Sequence, residues 1–310
     1  MYAAMIVLVL LAVSILALLG FMYFIPEKAL LLSLKLQRAR AGLVRKEIQL
    51  PEGLQYVYLE GGDGEPLMLL HGLGADKDTL DLVAASLTAH YRVIIPDITG
   101  FGESARPADA DYSPAAQAMR LRTFAHTLGI QKIHLGGSSM GGHLAMTYAA
   151  LYPDEVKSLW LQDPGGVWSA PKTAAIASID KTGENPLLIG KEDDLIKLFR
   201  LITYKPLYIP RPMLNVMARR RIENYTLEKR IFEELSADSM EQRVNGLKTP
   251  TLIVWGKEDR VIDVKSADIL SQLLPNSQVM VMDGIGHAPV LENPKQSAQD
   301  YLKFRASLNP

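Results

Sequence analysis

The chain has 310 residues and a net charge of −1, and it contains no cysteine. A charge this close to zero predicts no nucleic-acid partner, and the lack of cysteine excludes disulfides, thiolate metal sites and a thiol nucleophile. Hydrophobic residues make up 48% and charged residues 22% of the chain, which is the balance of a globular protein with a full core.

The N-terminal part departs from this balance, because residues 3–25 read AAMIVLVLLAVSILALLGFMYFI without one charge. A helix of about 20 apolar residues spans the hydrocarbon layer of a membrane. A cleaved signal peptide is the alternative, but it needs a basic start, a shorter apolar stretch and a small-residue cleavage site, and none of these is evident. We therefore predict a single-pass anchor over residues 1–26, in the cytoplasmic membrane if the chain is bacterial, which also permits two copies to pair as a homodimer.

Residues 27–46, which follow this run, are basic and rich in leucine. Such a segment beside a membrane span is typical of a chain that lies at the lipid headgroups, although a solvated charged linker has the same composition. Basic residues are found only on this side of the span, which favours a cytoplasmic position for the rest of the chain. Contact with lipid headgroups would weaken this argument, because the charges would then serve that contact. The basic residues are Lys28, Lys35, Arg38, Arg40, Arg45 and Lys46.

From residue 47 onward, short apolar runs alternate with segments of helical period. Near-continuous apolar runs are typical of parallel strands covered on both faces, and strands alternating with helices predict an α/β fold. The predicted strands are residues 66–72, 92–97, 132–137, 156–163, 251–256 and 277–283. The predicted crossover helices are residues 79–90, 114–129 and 266–274.

One interval, residues 167–246, contains no strand-like run. Its helix candidates are residues 193–204 and 212–235, and prolines punctuate the region between them. We predict a helical insertion in the sheet, so that the globular core has a first part at residues 47–166 and a second part at residues 247–310.

A glycine-rich turn, Gly137-Ser138-Ser139-Met140-Gly141, contains two candidate nucleophiles. A G-x-S-x-G turn between a strand and a helix exposes its central serine, and small flanking residues let the strand and the helix approach. This spacing selects Ser139, because centring the turn on Ser138 would put the large Met140 in a tight position. The strand-like KIHL before the turn and the helix-like HLAMTYAALY after it supply the required context.

A reactive serine needs a base and an acid that orients the base. His287 follows the last predicted strand in a loop, and it is the predicted base. Asp259 comes directly after a predicted strand and is the predicted acid, while Asp163, at the end of the preceding strand, is the alternative. The order nucleophile, acid, base along the chain is one of those known for serine hydrolases.

The oxyanion that forms during acyl transfer needs N–H donors. One donor is expected from the residue after the nucleophile, which is Met140, and another from the loop after an early strand. The sharp turn His71-Gly72-Leu73-Gly74 follows the first predicted strand, so we expect the second donor to be the Leu73 N–H.

Five motifs in this order, HGLG, DITGFGES, GSSMGG, WGKEDRVID and GHAPVLENP, resemble those of the α/β-hydrolase superfamily over residues 47–310. The resemblance implies a mostly parallel sheet flanked by helices, with a helical cap inserted after the sixth strand. An N-terminal anchor joined to such a core resembles the membrane-bound monoacylglycerol lipases and the bacterial membrane-anchored phospholipase A enzymes. The implied activity is hydrolysis of glycerolipid acyl esters through an acyl-enzyme, with lipid substrate and membrane lipids as partners.

The cap offers candidate lining for acyl chains, and its three consecutive arginines at 219–221 either contact phosphate or form a solvated face. Two other functions remain open at this stage: a serine-dependent carbon–carbon bond hydrolase of ring-cleavage products, and a non-catalytic lipid-binding protein. No metal site and no cofactor is expected. The candidate lining residues are Tyr204, Leu207, Tyr208, Met213 and Met217.

Overall fold

The computed structural model describes residues 2–308, whose core is an eight-stranded sheet. Strands β1 to β8 are Val44–Gln49, Gln55–Gly61, Glu65–Leu70, Tyr91–Pro96, Ile133–Ser138, Val156–Gln162, Thr251–Gly256 and Ser277–Met282. They stand in the order β1-β2-β4-β3-β5-β6-β7-β8. The pairs β1–β2 and β2–β4 are antiparallel and the remaining pairs are parallel, which confirms the predicted α/β fold.

Helices cover both faces of this sheet. Helices α1 to α13 are Tyr2–Phe24, Pro26–Arg40, Asp81–Ala84, Pro114–Thr127, Met140–Leu151, Ala174–Thr182, Glu192–Ile202, Arg211–Glu223, Tyr225–Ser236, Glu241–Val244, Lys265–Leu273, Pro289–Glu292 and Pro294–Leu308. Helices α4, α5 and α11 pack on one face, and α3, α12 and α13 pack on the other. Successive residues of β3 pack on opposite faces. Leu67 and Leu69 belong to the apolar cluster on one face, and Met68 and Leu70 belong to the cluster on the other face. Burial of both faces explains the near-continuous apolar runs.

The six predicted strands are confirmed as β3 to β8, whereas the sequence pattern did not indicate β1 and β2. Strand β1 reads VRKEIQ, and five of its six residues are exposed, so this edge strand carries no apolar run that could signal it. The last three residues of the juxtamembrane segment, which is predicted at residues 27–46, therefore lie in β1. Arg45 and Lys46 belong to β1.

Two helix predictions differ from the structure. In place of a helix at residues 79–90, a 3₁₀ turn at Lys77–Leu80 leads into the short α3, and turns follow. The Lys77 N–H and ammonium both bind Asp97, at 2.7 and 2.8 Å, and these bonds fix the start of the segment. The predicted helix at 212–235 is two helices, α8 and α9, with a break at the buried Asn224, whose Nδ2 donates to the Gly100 carbonyl at 3.0 Å.

Helices α6 to α10 all lie between β6 and β7, where a helical insertion was predicted. We call residues 167–246 the cap and keep these bounds as a prediction. The cap has a small core of its own, formed by Ile189, Leu195, Leu198 and Ala218.

Helix α1 is uncharged and exposed over most of its length, with Gly20, Phe21 and Met22 half-buried near its end. Its segment Ala4–Phe24 has a mean hydropathy of 3.0 and is 0% buried. Among residues 2–308 it is the one helix that is long and apolar enough to cross a membrane.

Helix α2 is attached to both the cap and the core. Leu30 packs against Met213 and Val216 of α8, and the Arg38 guanidinium donates two hydrogen bonds to the Asp78 carboxylate, at 2.5 and 2.7 Å. The segment is therefore neither a free linker nor wholly a headgroup-binding surface.

Three of the six basic residues assigned to lipid headgroups are engaged by core carboxylates. Besides Arg38, Arg45 binds Glu103 at 2.7 Å and Lys46 binds Glu60 at 2.7 Å. These three side chains therefore contribute to holding the segment on the core, and contact of the segment with lipid headgroups stays a prediction. Lys28, Lys35 and Arg40 are exposed.

Candidate active site

The turn between β5 and α5 places Ser139 at a strained corner, with φ 55° and ψ −117°. In the described part of the chain, only Ser139 and Asp163 are non-glycine residues with positive φ. Such strain costs about 1–3 kcal/mol and persists only where the surrounding structure imposes it. Backbone bonds impose it here, because the Ser139 N–H donates to Gln162 and its carbonyl accepts from Gly165, each at 3.0 Å.

Two glycines make this corner possible. A Cβ on Gly137 would lie 2.2 Å from the carbonyl carbon of Gly141, and a Cβ on Gly141 would lie 2.1 Å from the Leu70 carbonyl oxygen. Strands β3 and β5 therefore meet the start of α5 backbone to backbone, as the sequence motif predicts.

The loop after β3 runs beside the nucleophile, since a Cβ on Gly72 would lie 3.5 Å from the Ser139 Cβ. The fully buried His71 holds this loop. Its Nε2 accepts from the Ile98 N–H at 3.1 Å, so Nδ1 carries the proton and donates to the Gly72 carbonyl at 2.8 Å. Burial lowers the pKa of His71, which keeps the ring in this neutral form.

The two predicted oxyanion donors flank Ser139. Met140 begins α5, where backbone N–H groups have no acceptor within the helix, and Leu73 follows Gly72 in the adjacent loop. Across residues 2–308, neither the Leu73 nor the Met140 N–H binds a protein acceptor. Both can therefore donate to an oxyanion, and the N-terminal end of α5 favours negative charge there.

The structure joins His287 to Asp259. The His287 Nδ1 lies 2.7 Å from the Asp259 Oδ2, and these side chains are 7% and 0% exposed. The Asp259 Oδ1 accepts from the N–H groups of Val261 and Ile262 at 2.7 and 3.0 Å. With Nδ1 donating to the carboxylate, Nε2 is the basic atom, which is the tautomer that a general base for serine requires.

Asp163 lies against this pair. Oxygens of Asp163 and Asp259 and a ring nitrogen of His287 lie within 4.8 Å of one another. Groups of this kind also bind metal ions, but here the Asp259 oxygens bind His287 and two backbone N–H groups, which is the arrangement of an acid that orients a catalytic histidine. Burial first, and then the Asp259 charge, raise the pKa of Asp163 well above its usual value.

Comparison with known proteins agrees with this geometry. The profile of the α/β-hydrolase fold family matches residues 65–187 and 213–294. The chain belongs to this family. It is 40% identical to Lipase 3 of Moraxella sp. (strain TA144) over 280 residues, 88% of each chain. It is 31% identical to a monoacylglycerol lipase of Mus musculus over 260 residues, 80% of this chain and 77% of the relative. The crystal structure of a membrane phospholipase A, a bacterial virulence factor, matches with 36% identity and a TM-score of 0.89 over 100% of both chains.

The cap residues predicted to line an acyl-chain site in this α/β-hydrolase separate into two groups. Tyr204 lies beside the loop of His287, where its N–H donates to Glu292 at 2.7 Å. Met213 and Met217 pack at the junction with α2, and Tyr208, which is 92% exposed, borders a cavity of about 370 Å³ between α1, α2 and the cap. Leu207 is half-buried between the two tyrosines. Contact of these side chains with an acyl chain stays a prediction.

Sequence reasoning missed Arg221, which joins the cap of the hydrolase to the loop after β3. We call this loop, residues 71–74, the oxyanion loop, because it carries the predicted donor Leu73. Its guanidinium lies so close to Gly74 that a Cβ there would be 2.0 Å from Nη2. Nη2 also donates to Glu228 at 2.7 Å and to the Leu187 carbonyl at 2.8 Å. The charge pattern of residues 219–221 gave no signal for this role, because a solvated helix face looks the same in sequence.

Glu292 of the motif GHAPVLENP was also missed. Besides Tyr204, its carboxylate accepts from the Gly286 N–H at 2.7 Å. Glu258, the neighbour of Asp259, accepts from the Ile285 N–H at 3.0 Å. Both carboxylates thus hold the loop that presents His287.

Proposed function

We propose that this hydrolase is anchored in a membrane by α1 and cleaves acyl esters of glycerolipids, either monoacylglycerols or (lyso)phospholipids, with Ser139 as nucleophile. The observation that carries the proposal is a chain of contacts from the anchor to the reactive corner. Helix α2, which continues α1, packs on α8 of the cap, and Arg221 of α8 contacts Gly74 beside the nucleophile. A catalytic centre tied in this way to a membrane-length helix works at a lipid surface.

In the proposed mechanism, His287 takes the proton of the Ser139 hydroxyl as its oxygen attacks the ester carbonyl. The carboxylate of Asp259 stabilises the imidazolium, and the N–H groups of Leu73 and Met140 bind the oxyanion. His287 then protonates the leaving alcohol. Water attacks the acyl-enzyme by the same steps and releases the fatty acid.

The names of the similar proteins support a lipid ester as substrate, since they are a lipase, a monoacylglycerol lipase and a phospholipase A. A carbon–carbon bond hydrolase of ring-cleavage products would use the same nucleophile, but a small soluble substrate gives no reason for a membrane-length helix. A non-catalytic lipid-binding protein gives no reason for the bonded pair of His287 and Asp259 beside a strained serine. The glycerolipid ester hydrolase accounts for both features.

The test is acyl release by the detergent-purified full chain from a monoacylglycerol, a lysophospholipid and a diacyl phospholipid offered in competition. Ser139→Ala should abolish release and fluorophosphonate labelling, whereas the matched control Ser138→Ala should keep both. The preferred substrate separates a monoacylglycerol lipase from a phospholipase. Release that survives Ser139→Ala would refute the assignment, and turnover of a ring-cleavage dienoate without ester hydrolysis would favour the other chemistry.

Anchoring is tested separately by alkaline carbonate extraction of membranes from cells that express the full chain. An integral protein stays with the membrane, and mass spectrometry of the purified chain then shows whether residues 1–26 are retained. Recovery of a soluble chain that lacks these residues would mean that α1 is a signal sequence.

A further inference from the structure

Asp163 is the one member of the cluster around His287 for which the proposed mechanism has no use. It is 0% exposed, and its φ of 44° makes it, after Ser139, the second strained non-glycine residue of the described chain. Such strain persists only where the surrounding structure imposes it, and it clusters at functional sites.

The hydrogen bonds of Asp163 and Asp259 are unequal. Asp259 binds His287 and two backbone N–H groups through its two oxygens. In Asp163, Oδ1 accepts from the Gly256 N–H at 2.8 Å, while the buried Oδ2 has no partner among the described residues. Hydrogen bonds from N–H groups stabilise a carboxylate, and an unpartnered buried oxygen destabilises one.

Two carboxyl groups this close together do not both ionise, because their like charges repel in a buried site. The member that accepts more hydrogen bonds keeps the negative charge, and here that member is Asp259. Asp163 therefore holds the proton.

We propose that Asp163 is a positioning residue for the triad, a neutral second acid that lies behind Asp259 and supplies the negative charge for His287 when Asp259 is neutralised. In that case Asp163 releases its proton to solvent, and its carboxylate becomes the counter-charge for the imidazolium. The inference rests on the proposed function, since it assumes that His287 is the general base.

The first test is Asp163→Asn, which keeps an oxygen for the Gly256 N–H and adds no charge. If Asp163 is neutral, the acid limb of the kcat/KM profile, which reports His287, should stay within about 0.3 pH units of the wild type. If Asp163 is ionised, its loss removes a stabilising charge from the imidazolium and moves that limb by about one unit or more to lower pH. Glu258 and Glu292, whose carboxylates bind the loop of His287, are the same in both proteins.

The second test compares Asp259→Asn with the double variant Asp259→Asn/Asp163→Asn. Loss of the triad carboxylate lowers kcat by about 10⁴ where nothing replaces it. With Asp163 as the second acid, Asp259→Asn should remain at least about tenfold more active than the double variant. The matched control is Asp259→Asn/Asp154→Asn, because Asp154 is exposed at the other end of β6. Its kcat should equal the kcat of Asp259→Asn alone.

Equal activity of the single and double Asp259 variants, or a one-unit shift of the acid limb in Asp163→Asn, would overturn the inference. The rate of fluorophosphonate labelling of Ser139 is a second readout that needs no lipid substrate. A wild type that labels without hydrolysing any lipid ester would refute the proposed substrate and leave this inference standing, whereas a wild type that neither labels nor hydrolyses would refute both.

If Asp163→Asn does not fold, infrared difference spectra of the wild type and Asp259→Asn decide the matter. The protonated-carboxyl band should be weaker in Asp259→Asn at the pH of the assay, because Asp163 ionises there. An unchanged band would contradict the proposal.

Discussion

The contact between the cap and the oxyanion loop can be tested by removing Arg221. The side chains of Arg221 and Glu228 are 11% and 3% exposed, and Nη2 lies 2.7 Å from the carboxylate. Arg221→Met would leave a buried carboxylate without a counter-charge and the Leu187 carbonyl without its side-chain donor. Breaking a buried ion pair from one side costs about 3–5 kcal/mol.

For a chain of this size, the lower figure of about 3 kcal/mol corresponds to a fall in Tm of about 5 °C. Activity should fall as well, because Arg221 packs on Gly74, next to the Leu73 N–H. A lost oxyanion donor costs about 10²–10³ in kcat. We expect a donor that is displaced rather than lost to cost about tenfold, mainly in kcat.

The assay is Tm by intrinsic fluorescence together with kcat and KM on the preferred lipid ester. Arg220→Met is the matched control, since Arg220 is exposed and forms no ion pair within residues 2–308. The variant Arg221→Met/Glu228→Met should recover most of the Tm and still show the low kcat. A single Arg221→Met variant with unchanged Tm and kcat would refute the reasoning.

Three further predictions concern stability. Gly141→Ala should prevent folding, because its Cβ would lie 2.1 Å from the Leu70 carbonyl oxygen, and soluble yield measures this. Arg38→Met should lower Tm by several degrees and make α2 sensitive to proteolysis, because it leaves the Asp78 carboxylate, which is 6% exposed, without its ion pair to Arg38. Burial raises the pKa of Asp238, but hydrogen bonds from His143 and an arginine outweigh it and lower that pKa from 3.8 to about 2. A lowered pKa stabilises the folded state above pH 4, and this stabilisation is lost as the pH falls towards 2. Asp238→Asn should therefore lower the free energy of unfolding by about 2 kcal/mol at pH 7 and by progressively less below pH 4. Urea unfolding measures this difference.

The sequence predicts the strands whose apolar runs are visible in the letters; β3 to β7 are largely buried, whereas only the last residue of β8 is buried. Strands β3 to β8 are apolar on both faces, so their runs are visible without knowledge of their neighbours. Strand β1 lies at the edge of the sheet and is mostly exposed, and its pairing with β2 depends on a partner that no local pattern identifies. The break between α8 and α9 is hidden for the same reason, because it depends on a hydrogen bond from Asn224 to a distant carbonyl.

At the candidate site, chain order and spacing were sufficient to place Ser139 at the turn between β5 and α5 and to pair His287 with Asp259. Sequence could name Asp163 only as an alternative to Asp259, because nothing in the letters shows that both acids lie beside the same imidazole. It could not identify Arg221 at all. In the sequence, a helix break separates Arg221 from its partner Glu228. Much of the chain separates it from Gly74, which it contacts.

The sheet order explains why these groups meet. Strands β3, β5, β6, β7 and β8 are consecutive neighbours in the sheet, and from their carboxyl ends come, in turn, the oxyanion loop, Ser139, Asp163, Asp259 and His287. The strained residues Ser139 and Asp163 end adjacent strands, and the Ser139 N–H binds Gln162, the residue before Asp163. A shift of either corner therefore moves the other. Because α8 contacts α2 on one side and the oxyanion loop on the other, a continuous chain of contacts joins α2 to this edge of the sheet. Variants of Arg38 and Arg221 test whether a change at one end of that chain of contacts alters the other end.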